Sequence, residues 1–199
     1  MTVFSLRAGG FWSRGRARIG GVSASPARVE SLQTPRLSLR RPVPADIDVI
    51  HAITSDPRAS VHNPADLLTT RAEAEELYRR WDQHWDTHGL GYLVIRRHDA
   101  PKPLGFCGVK VVRFRSREVL NLFYRLTPAA WGDGIASEAA AAVVAWAGNV
   151  KPDLPIIARV RPDNIASQRI AVKTGLQRAA HLDEEGEDGL DLIFASRWR

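Results

Sequence analysis

The chain has 199 residues, of which 44% are hydrophobic, and this is enough to build one soluble domain with a sizeable core. No apolar run reaches the roughly 20 residues that a membrane-spanning helix needs, and the N-terminus lacks the apolar block of a secretory signal. A single cysteine, Cys107, excludes an internal disulfide and agrees with a reducing compartment. We therefore expect a cytoplasmic protein that makes no contact with membranes.

The net charge of +6 is divided unevenly along the chain. Residues 1–30 hold five arginines and one glutamate, so this segment carries +4 and the remainder carries +2. The segment is rich in Gly, Ser and Ala and has no hydrophobic period, which predicts a basic flexible arm ahead of one domain over residues 31–199. An organelle transit peptide has a similar composition, and basic arms can bind nucleic acid through its phosphates. The nearly balanced domain argues against a nucleic-acid-binding function.

The domain starts with patterns of a strand and two helices. Residues 36–41 alternate apolar and polar side chains as a half-buried strand does, and residues 44–51 then take helical spacing. A Thr-x-x-Glu capping box opens a longer helix over residues 70–89. Its Trp81 and Trp85, one turn apart, form a stripe that is typical of a core-facing helix, although either ring could instead line a substrate site.

Three runs rich in Val, Leu, Phe and Tyr follow, and they suit an antiparallel meander over residues 90–97, 104–114 and 119–126. The rest of the domain alternates between helix and strand patterns and ends in a pair of strands. These elements are predicted at residues 135–147, 154–160, 164–174, 176–182 and 190–196. The acidic residues 183–189 between the last two strands predict a solvated hairpin loop. The element order predicts a mixed α/β fold.

Two glycines, Gly132 and Gly134, stand one residue apart directly before the helix of small residues. The first N–H groups of a helix lack internal partners and carry partial positive charge, so such ends bind anions. Glycine permits close approach, and pyrophosphate oxygens could rest against the amides of residues 132–136. Taken alone this signal is weak, because such a pair is often only a turn and Asp133 could cap the same amides itself.

Four motifs are informative because they occur together and in order. They are TPRLSLR at residues 34–40, HGLGY at 88–92, PAAWGDGIASEA at 128–139 and RPDNIASQRIAVKTGL at 161–176. With them the chain, from about Leu32 to Arg199, resembles the GNAT superfamily of acyl-CoA-dependent N-acetyltransferases, and within it the Rim-type branch of ribosomal-protein N-terminal alanine acetyltransferases. The resemblance implies a mixed, α+β-like fold. Its central sheet would be mostly antiparallel, with six to seven strands, a V-shaped split and about four flanking helices.

The resemblance also implies that acetyl-CoA is the co-substrate, that its pantetheine arm lies in the split, and that no metal takes part. A bulge in the strand at residues 121–126 would leave an amide free for the thioester carbonyl. Asn164 and Ser167 would meet the pantetheine and the sulfur, although they could be only a helix cap and an exposed serine. The implied cofactor-binding residues are Leu126, Trp131, Gly132, Asp133, Gly134, Ile135, Ala136, Ser137, Asn164, Ser167 and Lys173.

Acetyl transfer to nitrogen requires a neutral amine, a donor to the developing oxyanion and a proton for the departing thiolate. Several relatives carry a glutamate where this chain has Asn121, and an amide cannot accept the proton of the amine. Either Glu118 or the acidic residues 183–188 act through water, or the amine arrives largely deprotonated. Many relatives use a tyrosine as proton donor to the thiolate. Because no tyrosine follows Tyr124, Ser167 is the candidate for that role here.

The acceptor is expected to be an amine of low pKa. An α-amine with a pKa near 7.8 is roughly 14% neutral at pH 7, whereas a lysine near 10.4 is only about 0.04% neutral. This favours an α-amino group of a protein or peptide, or a small-molecule amine. The acidic run at residues 183–188 is a candidate to attract a cationic acceptor, although most charge runs are solvent faces. Candidate acceptor contacts are His62, Asn63, Trp81, Trp85 and Tyr124.

Two departures from the family pattern keep an alternative function open, that of a catalytically silent acyl-CoA-binding protein with the same fold. Asn121 stands in place of a potential base, and Asp133 occupies a loop position that is often basic in this branch. The sequence leaves the oligomeric state open, a homodimer included.

Overall fold

The computed structural model describes residues 31–198, so the predicted basic arm at residues 1–30 lies outside the described part of the chain. The described strands are β1 (Ser31–Gln33), β2 (Leu37–Arg40), β3 (Tyr92–Arg97), β4 (Pro103–Phe114), β5 (Arg117–Leu126), β6 (Ile156–Val160), β7 (Gln177–Arg178), β8 (Glu184–Gly186) and β9 (Gly189–Ala195). The α-helices are α1 (Ile47–Thr54), α2 (Arg71–His88), α3 (Ile135–Val150) and α4 (Ile165–Lys173). Across these residues, no helix combines the length and the apolar character needed to cross a membrane.

The strands form one sheet in the order β1-β2-β3-β4-β5-β6-β9-β7, and β8 pairs with β9 beside this path. Every pairing is antiparallel except that of β5 with β6. The predicted mixed α/β fold with a mostly antiparallel sheet is confirmed, as is the meander of β3, β4 and β5. Three short strands of two or three residues, β1, β7 and β8, bring the strand count above the six to seven expected.

The V-shaped split lies between β5 and β6. Their parallel pairing covers only Leu120 with Ile156 and Asn121 with Ile157. Beyond these pairs β5 continues along β4 and β6 continues along β9, so the two strands diverge toward their C-terminal ends. The expected bulge in β5 is not found, because its register with β4 runs from Arg117 to Leu126 without a shift. Divergence of the two strands, rather than a bulge, opens the edge of β5.

Helices cover both faces of the sheet. Side chains of α3 and α4 pack on one face, and those of α1 and most of α2 pack on the other, while Trp85 near the end of α2 joins the cluster of α3. Trp81 belongs to the α2 side, where its ring meets the rings of Tyr92 and Phe106 edge-on at centroid distances of 5.1 Å. Trp85 stacks at 5.8 Å on Trp146 of α3. The tryptophan stripe is therefore part of the core, as its spacing indicates.

The acidic run near the C-terminus was predicted as a solvated loop, but part of it forms a strand. Glu184–Gly186 is strand β8, which pairs with the start of β9 across a two-residue turn at Glu187 and Asp188. Acidic side chains are tolerated in this hairpin because basic ones face them, with Glu184 3.5 Å from Arg159. The strand predicted at residues 176–182 is correspondingly short, since only β7 forms before a 3-10 turn.

Candidate active site

The edge of β5 that faces β6 has no strand partner beyond the last β5–β6 pair within the described residues. The amide of Leu120, in the paired part of β5, donates to the carbonyl of Pro155 at 2.9 Å and therefore faces β6. Because backbone groups of a strand alternate in direction, the peptide groups of Tyr124 and Leu126 point to the same edge of β5. The indole N–H of Trp131 donates to the Leu126 carbonyl at 3.2 Å. The amide of Tyr124 is left facing the split.

Two cavities open on either side of this edge. The α4-side cavity, of about 500 Å³, lies between β5, the starts of α3 and α4, and Trp131. The α2-side cavity, of about 540 Å³, lies between α2, β4, β5 and the β8–β9 hairpin. A smaller junction of about 100 Å³ shares Leu122 and Phe123 with the α2-side cavity and Tyr124 and Ser167 with the α4-side cavity. Two ligands could therefore meet at the junction from opposite sides.

The paired glycines form a turn that leads directly into α3. Gly132 and Gly134 have φ angles of +86° and +74°, in the left-handed region that other side chains disfavour. Gly134 is the N-cap of α3, and no side chain among residues 31–198 caps this helix end. Within that part of the chain, the first amides of the helix, at Ile135, Ala136 and Ser137, therefore lack a side-chain partner, and helix starts of this kind can bind anions.

The carboxylate of Asp133 does not cap this helix. It points to Arg97 on β3 at 2.8 Å, while the backbone carbonyl of Asp133 accepts a hydrogen bond from Arg36 at 3.0 Å. Arg36 also donates through Nε to the carboxylate of Glu138, one turn into α3, at 2.6 Å. The hydroxyl of Thr34 donates to the same carboxylate at 2.6 Å. Burial disfavours the ionised form of Glu138, but the hydrogen bonds from Thr34 and Arg36 outweigh this effect and hold its pKa below the ordinary value.

Three predicted residues meet where α4 approaches β5. The side-chain oxygen of Asn164 accepts the amide of Ser167 at 3.0 Å, so Asn164 is the cap of α4 and its NH₂ group stays available. The hydroxyl of Tyr124 donates to the Ser167 carbonyl at 3.2 Å, and burial raises the pKa of Tyr124 to about 12. All three line both the junction and the α4-side cavity. The structure thus places Tyr124 beside Ser167.

The α2-side cavity is strongly charged, which the sequence patterns did not reveal. Of the predicted residues it is lined by Asn63, Trp81 and Asn121, together with Glu187 and Asp188 of the acidic run. Most of its arginines are paired, for example Arg125 with Asp66 at 2.8 Å. The charged residues that line it are Asp66, Arg80, Lys110, Arg125, Arg159, Arg161, Glu187, Asp188 and Asp191. Cross-strand register brings Lys110 opposite Asn121, and such a pairing is invisible in the sequence.

Three other predicted residues, Glu118, Trp85 and Lys173, lie away from the cavities, whereas His62 lines both the junction and the α4-side cavity. Glu118 is exposed near the β4–β5 turn opposite Arg113, and its odd separation from Asn121 turns the two side chains to opposite faces of the sheet. Trp85 is only 1% exposed and does not line a cavity, and Lys173 is exposed at the end of α4. His62 lines the junction, where its Nδ1 lies 3.2 Å from a carboxylate oxygen of Asp163.

No group of three or more His, Cys, Asp and Glu side chains suited to a metal ion occurs within residues 31–198. Cys107 is fully buried, and burial raises the pKa of its thiol. This thiol is therefore kept from acting as a nucleophile.

Comparisons with known proteins agree with this geometry. The chain is 33% identical over 97 residues to the uncharacterized protein YkkB of Bacillus subtilis (strain 168), which covers 48% of this chain and 56% of that protein, so the chain spans just over half the length of this relative. A putative GnaT-family acetyltransferase from Bordetella pertussis has the same fold, with a TM-score of 0.72 and 19% identity over 84% of this chain and 99% of that one.

Two further solved structures share the fold and were obtained with coenzyme A. RimL, a ribosomal L7/L12 alpha-N-protein acetyltransferase in complex with CoA, has a TM-score of 0.69 and 15% identity, covering 83% of this chain and 97% of its own. Spermidine N-acetyltransferase from Vibrio cholerae, in complex with CoA and spermine, has a TM-score of 0.66 and 17% identity, covering 81% and 95%. The model of the acetyltransferase (GNAT) domain matches residues 36–177, which include the split, the glycine turn and α4. The chain therefore belongs to the GNAT acetyltransferase family.

Proposed function

We propose that the chain transfers an acetyl group from acetyl-CoA to a primary amine, by direct attack of the amine within a ternary complex. The observation that carries this proposal is the junction, where the free edge of β5 at Tyr124 meets two cavities of different character. In this proposal acetyl-CoA enters from the α4 side and the amine enters from the α2 side.

The residues of the α4 side suit acetyl-CoA. Leu126, Trp131 and Ile170 offer apolar surface to the pantetheine arm. The uncapped start of α3 offers amides and a positive helix end to the pyrophosphate. Arg97 lies beside this loop and could reach a phosphate if it left Asp133. That RimL and the spermidine enzyme were both solved with CoA supports the assignment.

In the reaction, the nitrogen lone pair of the amine attacks the thioester carbonyl carbon, and the C–N bond forms before the C–S bond breaks. The amide of Tyr124 would stabilise the charge that develops on the carbonyl oxygen. The amine loses one proton to water, and the departing thiolate takes a proton from the Ser167 hydroxyl, which is then restored by solvent. The buried state of Cys107 leaves no thiol for an acyl-enzyme, so direct attack is favoured.

No aspartate or glutamate of the described residues lines the junction, and the histidine that does line it, His62, contacts Asp163 through Nδ1 at 3.2 Å. The side-chain oxygen of Asn121 is buried and has no hydrogen-bond partner among the described residues, so it could accept an N–H of the amine but cannot take its proton. Asp191 lines the α2-side cavity but is held by Arg159 at 2.8 Å and Arg161 at 3.4 Å. In this proposal no side chain deprotonates the amine, so the acceptor arrives neutral, which favours an α-amine of a protein or peptide, or a small amine of low pKa, over lysine.

The test is thiol release from acetyl-CoA in the presence of α-amine peptides, lysine-containing peptides with blocked N-termini, and small amines, with the acetylated product identified by mass spectrometry. We expect α-amines and small amines of low pKa to be acetylated faster than the lysine peptides. A strong preference for lysine would overturn the argument about the neutral amine. Binding of acetyl-CoA without thiol release across the panel would instead support the silent acyl-CoA-binding function.

A matched pair of variants ties the activity to the glycine turn. Gly134→Ala places a side chain at a φ of +74°, which costs roughly 1 kcal/mol, and we expect it to raise the KM for acetyl-CoA. Gly148→Ala is the control, because this glycine lies inside α3 with open space around the position of a Cβ atom. Equal effects of the two changes on the KM would contradict the role assigned to the turn.

A further inference from the structure

The α2-side cavity contains two cations that no carboxylate of the described chain neutralises. Lys110 on β4 and Arg80 on α2 both line it, and neither has a carboxylate oxygen within 4.0 Å among residues 31–198. The ammonium nitrogen of Lys110 lies 4.8 Å from the centre of the Tyr92 ring. This contact occupies one face of the ammonium group and leaves its remaining N–H donors for the cavity.

The other arginines of the cavity are already engaged. Arg125 pairs with Asp66 at 2.8 Å, while Arg159 and Arg161 share Asp191. The carboxylate of Asp188 accepts the backbone amide of Ala65 at 3.1 Å. These interactions engage three of the four carboxylates that line the cavity, and Glu187 is the fourth. The positive charge left over is therefore concentrated on the wall formed by α2 and β4.

The opposite wall has a different character. Glu187, at the turn of the β8–β9 hairpin, lines the cavity and has no ion-pair partner within the described residues. The cavity thus presents a free carboxylate on the hairpin side and two free cations on the α2–β4 side. A ligand that bears a carboxylate would match the α2–β4 wall, whereas a polyamine, which has no negative group, would not.

We propose that the amine acceptor also bears a carboxylate, and that Lys110, assisted by Arg80, binds this carboxylate and so determines acceptor specificity. The proposal rests on the proposed acetyl transfer and adds the chemical class of the acceptor to it. The reacting amine lies toward the junction at Leu122 and Phe123, and the carboxylate lies toward the wall of Lys110, opposite Asn121 on the neighbouring strand.

The surroundings of Lys110 explain why an anion would be favoured there. Burial, and then the like charge of Arg80, lower the pKa of Lys110 to about 8, whereas Asp66 acts in the opposite sense. A carboxylate bound next to the ammonium group would offset both unfavourable effects. Arg80 is exposed, so its contribution is screened by salt and is the smaller of the two.

The test compares acceptors that differ only in this charge. Two isosteric pairs of α-amine acceptors serve: the amidated dipeptides Ala-Glu and Ala-Gln, and the amidated dipeptides Ala-Asp and Ala-Asn. Within each pair the amine is nearly unchanged. A hydrogen bond to a charged group in a partly exposed site corresponds to about a tenfold effect, so we expect kcat/KM for the carboxylate to exceed that for the amide about tenfold in at least one pair.

Variants of Lys110 show whether this residue is responsible. Lys110→Met should reduce the preference for the carboxylate member to about one, while Lys110→Arg should keep most of it. Lys102→Met, which removes an exposed lysine outside the cavity, should leave the preference unchanged. Because the readout is a ratio of two acceptors on one protein preparation, partial loss of folded enzyme does not alter it.

The possible results are distinct. Acetylation of both members of each pair at equal rates would overturn this inference and leave the proposed acetyl transfer standing. Loss of activity toward both members in Lys110→Arg would also overturn it, since that outcome indicates a neutral lysine acting as a base. Failure to acetylate any amine, charged or neutral, would contradict the proposed function itself.

Discussion

Asp133 is an acidic residue in a loop that is proposed to hold a pyrophosphate, and its replacement by asparagine tests how the loop tolerates it. The loop is fixed through the Asp133 backbone carbonyl, which Arg36 contacts, and asparagine keeps that carbonyl. The Asp133 side chain is 58% exposed and its partner Arg97 is 32% exposed. An exposed pair of this kind contributes less than about 1 kcal/mol, so Asp133→Asn should change the melting temperature little.

Removal of the charge should strengthen binding of CoA. Asp133 stands two residues before Ile135, and two residues span at most about 7 Å of backbone, so we take about 8 Å as the separation between its carboxylate and an anion at the start of α3. Repulsion by about two phosphate charges at that distance amounts to roughly 1 kcal/mol in water, and salt reduces it to about half. We therefore expect CoA to bind roughly twofold more tightly to Asp133→Asn, with a further gain where Arg97 becomes free to contact a phosphate.

Isothermal titration of CoA into the wild type, Asp133→Asn, Arg97→Met and the double variant measures both contributions. If Arg97 supplies the further gain, this part should disappear in the double variant. Binding that is more than threefold weaker in Asp133→Asn, with an unchanged melting temperature, would refute the reasoning. It would show that the carboxylate itself organises the loop.

Three further predictions concern other parts of the site and core. Ser167→Ala should lower kcat only severalfold, because a thiolate of pKa near 8.5 hardly needs a donor; a loss of several thousandfold would contradict this role. Glu138→Ala removes the acceptor for Thr34 and Arg36, so chemical denaturation should show a loss of about 2 kcal/mol in the free energy of unfolding, and CoA should bind more weakly; unchanged stability would argue against the bracing role. Burial first, then the charges of His88 and Lys110, lower the pKa of His84 to about 4, below its unfolded value near 6.5, so stability should fall as pH decreases from 6.5 to 4. His84→Gln should flatten that pH dependence, and an equally steep profile in this variant would assign it to other groups.

Local features of the fold could be predicted from the sequence, because they depend on neighbours in the chain. The capping box that opens α2 and the αL glycine that ends it are set by residues three or four positions apart. The glycine turn before α3 is likewise a local pattern, and both of its glycines adopt the left-handed conformation that makes glycine necessary. The order of the four motifs then indicated the family, and the family resemblance predicted the split in the sheet.

Features that depend on register or on distant contacts could not be predicted in this way. Arg36 and Glu138 are separated by 102 residues, yet their ion pair braces the glycine turn. Lys110 and Asn121 are neighbours only because β4 and β5 pair in one particular register. The acidic hairpin appeared solvated because its composition is acidic, whereas arginines from β6 and the β4–β5 turn lie against it. Charge counted along the chain does not show which charges remain unpaired in the fold.

The role of Glu118 shows the same limitation. Glu118 was a candidate base because it is close in sequence to Asn121, where several relatives carry a glutamate. Side chains three positions apart on a strand point to opposite faces of the sheet, however. Glu118 is exposed near the β4–β5 turn, and Asn121 lines the α2-side cavity. Glu118 is therefore not placed to take the proton of the amine, and the proposed function relies on acceptors of low pKa instead.

The central claim is that an amine from the α2-side cavity attacks acetyl-CoA directly at the junction. Initial rates of thiol release, measured while acetyl-CoA and an α-amine peptide are both varied, test it most directly. The account predicts double-reciprocal lines that intersect, because both substrates must be bound before any product leaves. Parallel lines, together with an acetylated enzyme detected by mass spectrometry, would contradict it.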